Sequence, residues 1–136
     1  MILVDTNILM YAAGADHPNK RPSTEFLERV ASDRIQAAID TEALQEILHR
    51  YLALGRGAEG RQVYDGARKL FAVPLPATVE VMDRARGFLD QHPQIGARDA
   101  MHAAIVVEHG LSGICSYDRG FDALSAVLRF EPDELA

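Results

Sequence analysis

Apolar and polar positions along the chain switch between two periods, and each switch marks an element. Met1–Val4 is a short β-prone run that stops on Asp5. Asn7–Ala13 fits one or two helical turns ended near Gly14, and Pro22–Ala31 predicts a helix with proline early and Phe26, Leu27 and Val30 on one side. "RIQAAID" (34–40) is a second strand candidate, after which Thr41 offers an N-cap. The clearest helix is Glu42–Leu54, where Leu44, Ile47, Leu48, Tyr51 and Leu52 form a core-facing stripe and Gly55 and Gly57 end it. Ala58–Phe71 keeps the helical period although Gly60 and Gly66 lower its propensity. "AVPL" reads as a strand fragment, and Thr78–Gln91 as a helix with Val81, Met82, Ala85, Phe88 and Leu89 inward. "ARDAMHAAIVVEHG" (97–110) is apolar nearly all round, which predicts a deeply buried helix stopped by Gly110. "SGICS" is a third strand, "DRGFDAL" a turn entering a short helix, and "VLRFEP" a last strand. Strands alternating with helices predict an α/β architecture, a mostly parallel sheet covered on both faces.

Composition narrows this picture. A chain of 136 residues without repeats or linker-like tracts suits one domain, 1–136, with one proper core. No apolar run is long enough to span a membrane, and the N-terminus lacks the basic-then-apolar pattern of a secretion signal. The single cysteine, Cys115, excludes an intrachain disulfide and fits a reducing cytoplasm, where it reads as an inert buried thiol. A net charge of −6 argues against a non-specific nucleic-acid binder, unless several acids are gathered for one purpose.

The positions of the acids raise that case. Sites in parallel sheets form beyond the carboxyl ends of the strands. Asp5 follows the first strand, Glu42 lies just after the second, Asp118 follows the strand with Cys115, and Asp99 opens the buried helix. Carboxylates held together raise one another's pKa, and helix N-termini relieve only about 0.3–1 kcal/mol each. A hard divalent cation such as Mg2+ or Mn2+ would offset the rest. Thr6, Asn7 and Ser116 suit supporting hydrogen bonds beside it.

Any one acid after a strand reads equally well as a cap or turn former, and Asp16, Asp33 and Asp40 are assigned that role. Glu46 and His49 share a helix face with Glu42 and read as solvent or rim residues, Glu46 having the better case for supporting the site. His102 reads as a hydrogen-bonded core histidine, and His17, His92 and His109 as loop or helix-end residues. Phosphate-loop, dinucleotide-binding and serine-elbow motifs are missing.

"VDTNIL", "TEALQEILHRY", "ARDAMHAAIV" and "SYDRGFD" resemble, in order and at similar intervals, the four motif regions of PIN-domain proteins, and most of all the VapC group of toxin ribonucleases. The resemblance covers essentially the whole chain and implies a three-layer PIN-like fold, a central mostly parallel sheet flanked by helices. By that likeness Asp5, Glu42, Asp99 and Asp118 are the catalytic, metal-binding acids, Thr6, Asn7 and Ser116 their polar helpers, and Asp122 an acid near the fourth ligand. Gly120 departs from the pattern, standing where many relatives carry another acid. The implied activity is Mg2+- or Mn2+-dependent endonucleolytic cleavage of single-stranded RNA, with water as nucleophile and a 5′-phosphate and 3′-hydroxyl as products. Arg98 and Arg119 beside the site, with Arg56 and Arg61 in "GRGAEGR", are candidate contacts to that RNA. The likeness also implies a cognate antitoxin protein that blocks the site, a homodimer, and a cytoplasmic location. Two other readings stay open here: a catalytically weak module that acts by binding its partner, and a nuclease acting on DNA or flap structures.

Overall fold

The computed structural model describes all residues from Met1 to Ala136. Its centre is a fully parallel four-stranded sheet of β1 (Ile2–Val4), β2 (Ala37–Ala38), β3 (Gly113–Cys115) and β4 (Arg129–Phe130), in the order β2-β1-β3-β4. Six helices connect and cover it: α1 (Thr6–Ala13), α2 (Lys20–Ala31), α3 (Thr41–Ala53), α4 (Gly57–Leu70), α5 (Val79–Gln91) and α6 (Ala97–Glu108). The alternation expected of a strand then sorts the core into two layers. Ile2, Val4 and Cys115 face one way, against α1 to α4. Leu3 and Ile114 face the other, against α5 and α6. The three-layer α/β expectation holds.

Most boundaries fall within a residue or two of those predicted, and the departures have local causes. Only Ala37–Ala38 of the second strand candidate pairs with β1, and the "AVPL" fragment appears as a single parallel bridge between Leu75 and Asp40. Asp40, not Thr41, caps α3, its Oδ1 accepting the Ala43 N–H at 2.9 Å. An aspartate in extended backbone one residue earlier reaches the free amide, so Thr41 becomes the first helical residue. Leu52, expected inward, is 64% exposed. Eight residues after Leu44 a helix has turned about 80° past its starting face, which carries Leu52 off the buried stripe. Met82 is also exposed rather than inward. Gly60, which weakens α4 by propensity, has a packing reason: a Cβ there would lie 2.5 Å from Tyr51 Cβ. Its missing side chain lets α4 close onto α3. No helix is long and apolar enough to cross a membrane.

Candidate metal centre

The register of the two central strands builds the site's first contact. Val4 pairs with Cys115, so Asp5 and Ser116 leave the sheet side by side. Ser116 is fully buried, and its hydroxyl donates to Asp5 Oδ2 at 2.5 Å. Ser116 Oγ in turn accepts the Asn7 side-chain amide at 3.2 Å and the Asp118 backbone N–H at 2.9 Å. Asp5 Oδ1 accepts the Thr6 N–H at 2.7 Å, so Asp5 is at once the cap of α1 and a fixed wall of the site. Thr6, Asn7 and Ser116 therefore stand together around Asp5, as the sequence suggested. Two polar atoms there, Thr6 Oγ1 and Asn7 Oδ1, are buried with no protein partner.

Asp99, in the first turn of α6, meets Asp118, which caps the 3-10 turn Arg119–Ala123. Burial, the Asp118 charge, a shared carboxyl–carboxylate hydrogen bond and the Asp5 charge together push Asp99 up to about 7. Asp5 is itself raised, chiefly by burial, although His102 and Ser116 pull the other way. Three of the four acids singled out in the sequence thus converge. Asp118 Oδ1 also accepts the Gly120 N–H at 2.8 Å, and a Cβ at Gly120 would crowd that oxygen at 3.0 Å.

Glu46 was read as a solvent or rim residue; it is instead only 8% exposed, and it groups with Asp5 and His102 so that one ligand atom from each lies within 4.8 Å of the others. The reason is tertiary: α3 packs against α6, whose Arg98 and His102 close over Glu46. Arg98 holds Glu46 Oε1 at 3.1 Å, with Arg50 at 4.0 Å. Glu42 lies one turn earlier and half-buried, its carboxyl raised by burial and by the charges of Asp40 and Glu46 against His102 and Arg98.

His102 is a buried hydrogen-bonded histidine, as expected, but its partner was not foreseen. Its Nδ1 lies 2.6 Å from Asp40 Oδ2, and its Nε2 faces Asp5 Oδ1 at 3.6 Å without a hydrogen-bond partner. Burial opposes its charge, yet the charge and hydrogen bond of Asp40, with Asp5 and Glu46, overrule that and push His102 up to about 10. Asp40, read as a cap alone, therefore has two jobs, one per oxygen. Nothing in the sequence pairs residues 40 and 102; only the fold does. Asp122 turns from the cluster to Arg129 at 3.0 Å, and Arg129 in turn donates to the Ser116 carbonyl at 2.9 Å. Arg119 is exposed on the 3-10 turn.

The donor set suits a divalent cation. Carboxylates predominate, Asp99 and Asp118 are crowded together under burial, and one buried imidazole nitrogen faces Asp5 at 3.6 Å without a hydrogen-bond partner.

A parallel α/β fold with acids gathered at the carboxyl edge of its central strands is the architecture of the PIN domain, whose family model matches residues 2–127. The chain belongs to the PIN-domain family. Within it, the chain is 37% identical over 129 residues to ribonuclease VapC13 of Mycobacterium tuberculosis, covering 95% of this chain and 98% of that protein. Ribonuclease VapC23 of the same species is 36% identical over 118 residues, 87% of this chain and 93% of the relative. Among solved structures, VapBC2 from Rickettsia felis, bound to a DNA fragment from its promoter, superposes with a TM-score of 0.76 at 17% identity, over 96% of this chain and 98% of that one.

Proposed function

We propose that this protein is the toxin endoribonuclease of a toxin–antitoxin pair, cleaving single-stranded RNA with Mg2+ or Mn2+ held among Asp5, Asp99, Asp118 and the α3 glutamates Glu42 and Glu46. The observation that carries the reading is the convergence of Asp5, Asp99 and Asp118, where burial and mutual repulsion push Asp99 up to about 7. The identity to VapC ribonucleases over nearly the whole chain supports RNA as the substrate. A bound divalent ion supplies Lewis-acid stabilisation of the phosphate and makes water a competent nucleophile. The chain's own groups orient the rest. Ser116 fixes the Asp5 carboxylate, and Arg98 steadies Glu46. The buried, unpartnered oxygens of Thr6 and Asn7 offer acceptors to a water held inside the site beside Asp5. Arg98 and Arg119 flank the edge where a phosphate chain would enter, which gives an acidic protein its local counter-charge. A cognate antitoxin protein occludes this site, the toxin works as a homodimer, and both act in the cytoplasm.

Cleavage of a fluorescent single-stranded RNA, with a matched DNA, is the test. Activity is expected on RNA with Mg2+ or Mn2+, none with chelator, and none for Asp5→Asn at unchanged circular dichroism. Full activity in Asp5→Asn, or cleavage of DNA alone, overturns the proposal. Light scattering reports the dimer, and growth arrest relieved by a co-encoded small protein reports the antitoxin.

A further inference from the structure

The site so far is one of oxygen ligands, yet its most deeply buried charged cluster contains a nitrogen. His102 is 1% exposed, and its Nε2 has no hydrogen-bond partner. That nitrogen faces Asp5 Oδ1 at 3.6 Å, too long for a hydrogen bond. The Asp5 oxygens do not reach for it, because Thr6 N–H and the Ser116 hydroxyl already hold them. On the far side of the ring Asp40 accepts at 2.6 Å from Nδ1, and Asp40 is itself pinned by the Ala43 amide. A ring so braced keeps its Nδ1 proton on Asp40, and a cation that displaces the Nε2 proton meets a nitrogen already facing Asp5 and Glu46, the arrangement by which carboxylates orient metal-binding histidines.

We propose that His102 is a metal ligand braced by Asp40, its Nε2 joining Asp5 and Glu46 in a mixed nitrogen–oxygen seat that prefers a first-row transition ion such as Mn2+ to Mg2+. The spacing fits. Ions hold such ligands at about 2.0–2.2 Å, so two ligands of one ion stand roughly 3–3.7 Å apart. The Asp5–His102 separation falls in that range, and the three donor atoms lie within 4.8 Å of one another. Imidazole favours transition ions, whereas Mg2+ takes oxygen. The inference rests on the proposed metal-dependent site but adds a ligand and an ion preference to it.

Mn2+ alone is the probe, read by electron spin echo spectroscopy of the full chain. Wild-type protein is expected to bind Mn2+ with nitrogen modulation that changes when histidine carries the heavier nitrogen isotope. The modulation is lost in His102→Gln and kept in His49→Gln, an exposed histidine. Isotope labelling needs no substitution, so a poorly folding variant does not block the answer. Competition should show Mn2+ binding at least tenfold tighter than Mg2+, with the ratio narrowing in His102→Gln. Bound Mn2+ without histidine nitrogen modulation overturns the His102 assignment while leaving the acidic metal site standing. Mn2+ binding that Asp5→Asn does not weaken overturns both.

Discussion

Replacing Asp99 with asparagine separates what the acidic cluster does for folding from what it does for chemistry. In the metal-free protein Asp99 is pushed from 3.8 up to about 7, by burial first and then by Asp118 and Asp5. An acid whose native pKa is raised binds more protons when folded than when unfolded. Native stability therefore falls as pH climbs from 3.8 through about 7, and the loss is complete above that. At about 1.4 kcal/mol per tenfold change in proton affinity, the full rise would cost about 4 kcal/mol. Asp99 is only half-buried, and solvent screening reduces the expected penalty to about 1–2 kcal/mol. Asparagine keeps the shape and removes the charge.

In chelator at pH 8, Asp99→Asn should therefore melt about 3–8 °C above wild type. At pH 4.5 most of the gain should be gone, because there the wild-type acid is largely protonated in the folded chain. Adding Mn2+ should reverse the order at pH 8, raising the wild-type midpoint and leaving the variant nearly still. Scanning calorimetry at the two pH values, with and without the ion, reads all four points. A variant no more stable than wild type at pH 8 in chelator would refute the like-charge reasoning, and an equal gain at both pH values would attribute the effect to something other than charge.

Three further outcomes follow from the geometry. Asp40→Ala removes the α3 cap and strands a buried histidine nitrogen, and should cost about 3–5 kcal/mol in urea unfolding; Asp40→Asn, which still caps, should cost clearly less. Gly60→Ala forces a methyl to within 2.5 Å of Tyr51 Cβ and should destabilise by about 1–3 kcal/mol, where a melting point equal to wild type would show that α4 slides freely. Glu46→Gln should lower RNA cleavage more than Glu42→Gln does, since Glu46 is buried against Asp5 while Glu42 stands a turn away, half-exposed; the reverse order in initial rates would return the metal role to Glu42.

The sequence carried the periodic signals well and the tertiary ones poorly. Helices α3 and α6 were legible because their apolar stripes extend over several turns, and β1 and β3 because short β-prone runs break at polar residues, Asp5 and Ser116. Asp5, Asp99, Asp118 and Ser116 were legible as a group, since each follows a strand or opens a helix at one edge of a parallel sheet. Glu46 was harder. Two glutamates four residues apart share a face, and which one turns under α6 depends on a helix crossing that no local pattern encodes. The Asp40–His102 bond spans 62 positions and joins two residues with sufficient local explanations of their own, a cap and a core histidine.

Each acid at this edge has a local role that accounts for it when it is taken singly. Asp5 caps α1, Asp40 caps α3, Asp118 caps a 3-10 turn, and Glu42 and Asp99 sit in first turns, where helix dipoles favour negative charge. A parallel sheet sends the helices that directly follow its strands off from the same edge, so residues chosen locally as caps are delivered collectively to one place. Local gain and collective cost then differ from acid to acid. Asp5 accepts from Thr6 and Ser116, and neutralising it forfeits those charge-assisted bonds. Asp99 caps nothing, since Gly96 occupies that position in α6. Asp5→Asn should therefore stabilise the metal-free chain less than Asp99→Asn, or destabilise it, although both should abolish cleavage. Equal stabilisation by the two would mean that the caps contribute nothing and repulsion alone governs the edge.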